Sequence, residues 1–405
     1  MHHPDLPYKV GIKLNNLELS LPGSKSVAAR LLILGSLYPH EFTIDNCPNC
    51  MDVVNLENSL KQIGLEISRT NGVVKILNSF PECERFSVKP LLPGDGGTTN
   101  RFLIGMLGLG KLTYRLKLGF DVSKRPIDAL VATLNQCGVS IKRENNEIVI
   151  KGPYSKNLRE IEVDCSQTTQ FLSSLKMVFY NQSITFIKTN LTSSQKYLDL
   201  TDDLISRVKK DQNNFIVPTD MSALSYVIAY AMLGKEVTIN NFIPDDLQAD
   251  YKIIEIARQL GLSISRDKNT LRLSSQKYYA GFEVDLNNCL DLAPTLSFMA
   301  TLCHGTSRLK NLKQLRYKES NRLGEILNLL KLFRCNYCYH EIEDMLEINY
   351  SEPMKESVEY HAPSDHRMVM TAFIFMKRNY GGLIYNASCV EKSWPEFFIS
   401  MDTKE

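Results

Sequence analysis

An α/β (α+β) fold of two similar domains is predicted by three features of this 405-residue chain. A short turn of Gly, Asp, Ser or Thr runs six times straight into an apolar, helix-like stretch. Four copies of a second pattern, a helix, a stop and two strands joined by a polar turn, fall in two pairs with nearly equal spacing inside each pair. A polar stretch at 213–218 falls between the third and fourth of the six turns, where a domain boundary would lie.

The turns come first. Pro22-Gly23-Ser24-Lys25-Ser26 precedes the apolar run 28–37, Gly94-Asp95-Gly96-Gly97-Thr98-Thr99 precedes 102–109, and Asp164-Cys165-Ser166-Gln167-Thr168-Thr169 precedes 171–179. In the second half Pro218-Thr219-Asp220-Met221-Ser222, Asp291-Leu292-Ala293 and Pro363-Ser364-Asp365-His366-Arg367 each lead into another such run. Ser, Thr and Asp begin helices because their oxygens accept from orphan backbone N–H groups. The same N–H groups and the helix dipole attract anions. Lys25, Arg30, Arg101 and Arg367 also stand at these starts. The dipole disfavours a cation there, so an anionic ligand is expected.

The second pattern supplies the strands. Residues 56–67 read as an amphipathic helix stopped at Gly64, followed by 65–68, a turn at Asn71-Gly72 and a strand over 73–77. Residues 130–141 repeat this with Gly138, a turn near Glu144-Asn145-Asn146 and strand 148–150. Residues 253–265 repeat it with Gly261, a turn at Asp267-Lys268-Asn269 and strand 271–273, and 323–348 form a fourth copy with Arg334 where Gly is expected. Helix-stop glycines and polar two-strand turns follow known rules of punctuation. Gly64 and Gly138 lie 74 residues apart, Gly261 and Arg334 73 apart. Equal spacing predicts two halves on one plan, each of three helix-plus-strands units.

Composition removes several function classes. Lys plus Arg is 47 and Asp plus Glu 45, for a net charge of +2, so no electrostatic footprint for nucleic acid or a membrane surface is present and anion binding must be local. No apolar run approaches the roughly 18 residues of a membrane span, and the N-terminus is no secretory signal, so a cytoplasmic protein is expected. Among ten cysteines, Cys47/Cys50 and Cys335/Cys338 form C-x-x-C pairs. They are far apart and lack the flanks of a zinc knuckle; reduced, buried thiols and no metal are expected.

Chemistry concentrates in three clusters. In Arg316-Tyr317-Lys318-Glu319-Ser320-Asn321-Arg322-Leu323, a helix would place Lys318 and Arg322 as i,i+4 neighbours on one face, with an anion between them. Glu319 beside them is suited to proton transfer. Asp365-His366-Arg367 puts His and Arg at the positive end of a helix. The 94–101 loop is Gly-rich but lacks the spacing of a nucleotide P-loop. H-E-x-x-H, G-x-S-x-G and G-x-G-x-x-G are absent, against zinc-protease, serine-hydrolase and dinucleotide readings.

In this order the pieces resemble the 5-enolpyruvylshikimate-3-phosphate synthase family, from about Leu21 to Phe398. The motifs are Leu21-Pro22-Gly23-Ser24-Lys25-Ser26 with Arg30, Gly97-Thr98 with Arg101, Arg125-Pro126, and Thr168-Thr169-Gln170-Phe171. Gln248-Ala249-Asp250, Asp291, Lys318-Glu319 with Arg322, Asp365-His366-Arg367 and Lys392 follow. The resemblance implies the enolpyruvyl transferase-like inverted α/β barrel, two domains each of three βαβαββ units. The first would span 20–217, the second 1–19 with 218–405, and the substrates would lie in the cleft between. It further implies transfer of the enolpyruvyl group of phosphoenolpyruvate to the 5-hydroxyl of shikimate 3-phosphate, with release of phosphate, by a monomer without a cofactor.

Roles carry over by resemblance to matching positions. Lys25, Gly97, Arg125, Gln170, Arg322, Arg367 and Lys392 would grip phosphoenolpyruvate. Lys25, Ser26, Arg30, Thr168, Thr169, Gln170, Ser194, Tyr197, Asp291, Gln314 and Lys318 would bind shikimate 3-phosphate. Asp291 would be the base for the 5-hydroxyl, Lys318 or Glu319 would handle the proton at C3, and Lys25 would assist. The chain departs from the family in having Thr168-Thr169 for Ser-Ser, Gln314 for Asn, Asp95 for Asn and Phe102 for Pro. The UDP-N-acetylglucosamine enolpyruvyltransferase family shares this fold, but Lys25-Ser26 and the cysteine-free stretch 117–125 differ from its pattern. A non-catalytic relative is the remaining alternative, against which Asp291, Lys318, Glu319 and the cations speak.

Overall fold

The computed structural model describes residues 6–119, 127–144, 147–191, 194–276 and 278–402. The chain forms two units, a continuous one over Gly23–Pro218 and a discontinuous one joining Met1–Pro22 to Thr219–Glu405. Strands β1 (Tyr8–Val10) and β2 (Leu17–Leu19) belong to the discontinuous unit.

The continuous unit runs α1 (Lys25–Leu37), β3 (Phe42–Asp45), α2 (Met51–Gln62), β4 (Ile67–Thr70), β5 (Val73–Ile76), α3 (Gly97–Leu107), β6 (Thr113–Lys117) and α4 (Asp128–Gln136). It continues with β7 (Ser140–Glu144), β8 (Glu147–Lys151), β9 (Glu160–Asp164), α5 (Gln170–Val178), β10 (Thr185–Thr189), α6 (Gln195–Lys209) and β11 (Asn214–Ile216). The strands form three sheets, β11-β3-β5-β4, β6-β8-β7 and the parallel pair β9-β10. Helices α1, α3 and α5 are buried along nearly their whole length and pack on one another. A helix apolar all round can be stable only inside a core, which is why these three are the inner helices.

The discontinuous unit repeats the plan. It runs α7 (Met221–Ala231), β12 (Val237–Ile239), α8 (Lys252–Gln259), β13 (Ser263–Asp267), β14 (Thr270–Ser274), β15 (Glu283–Asp285), α9 (Ala293–Ala300) and β16 (Thr306–Lys310). Then come α10 (Arg322–Leu332), β17 (Tyr337–His340), β18 (Met345–Asn349), β19 (Val358–His361), α11 (His366–Arg378), β20 (Gly382–Tyr385) and α12 (Phe397–Met401). Its sheets are β13-β14-β12-β2, β15-β16-β18-β17 and β1-β20-β19, and its mutually packed inner helices are α7, α9 and α11. The N-terminal strands are part of this unit through β2, parallel to β12, and β1, antiparallel to β20.

The four helix stops share one backbone conformation. Gly64, Gly138 and Gly261 have φ of +116°, +92° and +90°. Arg334 takes the same left-handed region at +51°, where a side chain is strained. The turns at Asn71-Gly72 and Lys268 have positive φ, as tight hairpins require; Asn145 and Asn146 lie outside the described residues. The helix expected over 56–64 starts earlier, at Met51. Asp291 does not begin a helix but sits inside a 3-10 turn, Leu290–Leu292, that leads into α9. No described helix is long and apolar enough to cross a membrane.

Candidate active site

In the continuous unit the predicted residues gather at the starts of the inner helices. Helix α1 begins at Lys25 behind Ser24, which makes no side-chain cap; α3 begins at Gly97 behind Gly96, and α5 at Gln170 behind Thr169, again without one. A start without its own cap leaves first-turn N–H groups to other acceptors. The Gly loop before α3 is held from within: Asn100 Nδ2 donates to the carbonyls of Gly94 at 2.9 Å and Gly96 at 2.8 Å, and Thr99 Oγ1 to Gly96 at 2.9 Å. A Cβ on Gly96 would lie 2.4 Å from Thr99 Oγ1 and 2.8 Å from Asp52 Oδ1, so only glycine fits.

Around this loop the side chains form polar links. Lys25 Nζ donates to Asp52 Oδ2 at 3.0 Å. Gln170 accepts from Arg101 at 2.6 Å and donates from Nε2 to Thr98 Oγ1 at 2.8 Å. Thr168 Oγ1 accepts from Gln170 N at 3.2 Å, and Thr169 Oγ1 donates to the carbonyl of Ser194 at 3.4 Å. Ser194 holds a left-handed φ of 65° directly before α6, which carries Tyr197.

Arg30 is buried, and its guanidinium faces inward. Its Nε donates to Thr201 Oγ1 at 2.8 Å, NH1 to the Ser26 carbonyl at 2.8 Å and NH2 to the Tyr197 carbonyl at 3.3 Å. It also lies over the rings of Phe102, at 5.1 Å, and Tyr197, at 5.7 Å. Phe102, a departure from the family pattern, thus supplies an aromatic face for a buried cation. Among the described residues no carboxylate pairs with Arg30, and burial pushes its pKa down to about 10.

The discontinuous unit holds a denser cluster. Residues 316–323 are not one helix: Lys313–Tyr317 is a 3-10 turn, Lys318 is extended, and α10 starts only at Arg322 behind the capping Asn321. The i,i+4 pairing expected of Lys318 and Arg322 therefore does not occur. They meet through the tertiary fold instead, and what lies between them is the protein's own carboxylate. Asp291 Oδ1 accepts from Arg322 NH1 at 2.7 Å and pairs with Lys318 Nζ at 3.4 Å, while Oδ2 accepts from Arg367 NH2 at 3.1 Å. The helical reading failed because Asn321 competes for the backbone as an N-cap, its Oδ1 accepting from Gly324 N.

A second carboxylate anchors this arrangement. Asp365, fully buried, caps α11 by accepting from Arg367 N at 3.1 Å. It accepts as well from Arg322 Nε at 2.7 Å, Arg322 NH2 at 3.3 Å and Ser320 Oγ at 3.1 Å. Burial alone would lower the pKa of Arg322, but Asp365 and Asp291 outweigh it and hold the guanidinium firmly charged. Burial alone would raise that of Asp291, but Arg367, Lys318 and Arg322 keep the carboxyl well below its usual range. For Lys318, burial and the two arginines win over Asp291, so its pKa falls.

The remaining predicted groups border this cluster. Glu319 Oε2 lies 2.8 Å from His366 Nδ1, Lys392 Nζ donates to the Ser364 carbonyl at 2.9 Å, and Gln314 is half-buried in the 3-10 turn before Lys318. Glu319, Asp365 and His366 place one donor atom each within 4.8 Å of one another, a metal-compatible trio among the described residues. Asp365 is already saturated by Arg322, Ser320 and the helix start, which disfavours a dication there. Arg125 lies outside the described residues. Sequence reasoning left Asp52, Asp250 and Asp365 out of the site. Asp52 and Asp365 show their part only through spatial pairing with Lys25 and Arg322, and Asp250 only through its buried place near Asp291 and Arg367.

Comparison with known proteins follows the same line. A family model described as EPSP synthase (3-phosphoshikimate 1-carboxyvinyltransferase) matches residues 13–401. A 3-phosphoshikimate 1-carboxyvinyltransferase of Syntrophobacter fumaroxidans is 28% identical over 408 residues, covering 94% of this chain and 95% of the relative. One of Clostridium novyi is 27% identical over 417 residues, covering 95% and 94%. A solved structure of EPSP synthase from Acinetobacter baumannii has a TM-score of 0.78 at 19% identity over 97% of each chain, a likeness of fold.

Proposed function

The chain belongs to the EPSP synthase family, and from that premise we propose how its residues divide the work. The enzyme transfers the enolpyruvyl group of phosphoenolpyruvate to the 5-hydroxyl of shikimate 3-phosphate and releases phosphate, a step of the shikimate pathway towards chorismate and the aromatic amino acids. The observation that carries the residue assignment is the convergence of Lys318, Arg322 and Arg367 on Asp291. Three cations around one carboxylate form a preorganised field for charge that develops on phosphate and carboxyl oxygens, the largest usual source of transition-state stabilisation.

In this proposal Arg322, Arg367 and Lys392, with Lys25, Arg125, Gln170 and the Gly97 backbone, hold phosphoenolpyruvate. Ser26, Thr168, Thr169, Gln170, Ser194, Tyr197 and Gln314 hold shikimate 3-phosphate, with Lys25, Lys318 and Asp291 reaching it too. Arg30 supports that set by bracing Ser26 and Tyr197 through their carbonyls. Asp291 draws the proton from the 5-hydroxyl as its oxygen adds to C2, and Lys318 or Glu319 delivers a proton to C3. The tetrahedral adduct then loses phosphate by C–O cleavage while C3 returns a proton to the same group, which restores the C=C bond of the enolpyruvyl product. Asp291 is ionised at neutral pH, as a base must be. Lys318, with its lowered pKa, exchanges a proton more readily than an ordinary lysine.

A monomeric, cytoplasmic enzyme working without a cofactor completes the proposal. The deciding assay follows phosphate release from phosphoenolpyruvate with shikimate 3-phosphate or UDP-N-acetylglucosamine as acceptor. Release with the first acceptor alone is expected. Release with the sugar nucleotide alone would overturn the reading, and release with neither would make the chain a non-catalytic relative.

A further inference from the structure

Asp250 takes no part in the roles assigned above, yet it lies among the residues that carry them. It sits in a 3-10 turn, Ala249–Tyr251, packed against α7, and is 3% exposed. Its Oδ2 accepts from Ser222 Oγ, while Oδ1 is buried with no hydrogen-bond partner. Arg367 Nε is also buried without a partner, although NH2 of the same side chain is bonded to Asp291. Two orphaned buried polar atoms of opposite charge in one cluster are costly, and they mark an arrangement completed by something else.

The groups that act on Asp250 are Asp291 and Asp220, of like charge, and Arg367, of opposite charge; the Cys289 thiol also faces it. Burial first, then Asp291, pushes the Asp250 carboxyl up to about 7, with Arg367 and the Ser222 bond working against them. Around Arg367 the charges are already matched: Lys318, Arg322 and Arg367 stand against Asp291, Asp365 and Glu319. Phosphoenolpyruvate adds a carboxylate and a phosphate. A charged Asp250 would then compete with the substrate for Arg367, and its own desolvation would be uncompensated.

We infer that Asp250 is a positioning residue for Arg367 that takes up one solvent proton, on Oδ1, when phosphoenolpyruvate binds. The inference rests on the assignment of Arg367 to phosphoenolpyruvate. The carboxylate in its charged form restrains Arg367 in the free enzyme; neutralised, it releases the full guanidinium charge to the substrate. No bond other than the O–H of Asp250 is made or broken in this step.

The test is the KM for phosphoenolpyruvate at saturating shikimate 3-phosphate, from pH 6 to 8.5, in wild type and Asp250→Asn. The substrate's own titration cancels in the ratio of the two. The wild-type to variant KM ratio should rise from about one at pH 6 to about tenfold at pH 8, while the kcat ratio stays flat. A ratio independent of pH would overturn the inference. Ser222→Ala removes a bond that favours the charged form, so the rise in its KM profile should move to higher pH; an unmoved profile also overturns it. Arg367→Ala addresses the underlying assignment separately. An unchanged KM in that variant would remove Arg367 from the substrate site, whatever Asp250 does.

Discussion

Arg30, in the second turn of α1, and Arg322, the first residue of α10, are both buried guanidiniums, one in each unit, and their surroundings are opposite. Arg30 is solvated by neutral groups, two carbonyls, a hydroxyl and two aromatic faces, and its pKa is pushed down. Arg322 is clamped between Asp291 and Asp365, and its pKa is raised. The same contrast runs through the helix starts. In the continuous unit α1, α3 and α5 all lack a side-chain cap, whereas in the discontinuous unit Asp220 and Asp365 cap α7 and α11 and only α9 goes without. One unit leaves these helix starts uncapped and Arg30 solvated by neutral groups, although its Lys25 is paired with Asp52. The other stores its cations in pairs with internal carboxylates, from which an incoming anion must draw them.

The largest expected effect tests the paired cluster. Asp291→Asn should lower turnover by about 10²–10⁴-fold, the usual contribution of a positioned base, with substrate binding largely kept. Steady-state phosphate release checks it, and near-normal turnover would remove Asp291 from the mechanism.

Next in size is stability. Arg322→Met leaves Asp365 buried without its partner and should cost about 3–5 kcal/mol in denaturant unfolding. Arg30→Met removes a buried charge that has no counter-ion, so its cost should be smaller, about 1 kcal/mol or less, although binding of shikimate 3-phosphate suffers. Equal losses in the two variants would erase the contrast between the units.

A pH profile sharpens the picture further. Because the Lys318 pKa is lowered, the lysine loses its proton at lower pH than an ordinary one. If kcat needs the protonated amine, activity should fall on the alkaline side below the usual lysine range, near 10.4 for a free side chain. Lys318→Arg keeps the charge and should abolish that alkaline limb; an unchanged limb would assign it elsewhere. The smallest effect concerns the caps. Asp220→Ala should cost about 1 kcal/mol, through the lost bond to Ala223 N, and Ser24→Ala only a few tenths, since Ser24 makes no cap.

Much of the scaffold could be read from local chemistry. Turn residues, helix stops and apolar runs act over a few positions, so the inner helices, and the strand pairs that follow α2, α4, α8 and α10, were expected close to where they stand. Even Arg334, in place of a helix-stop glycine, kept the left-handed backbone. The site was less legible. Lys318 and Arg322 were expected to meet on one helix, and they meet on Asp291 from a loop and a helix start. The part of Asp365 was invisible because a helix-capping aspartate and an arginine's buried counter-ion look alike along the chain.

What the sequence determined by itself was therefore the periodic framework: the repeated units, the starts of their inner helices and the family to which its motifs belong. Those are encoded by short-range sterics and by burial patterns of fixed period. Only the tertiary structure decided which cations are neutralised and which are not. Pairing of charges depends on distances between residues far apart in the chain, such as Asp291 and Arg367 or Arg322 and Asp365, and on the burial that makes each pairing count.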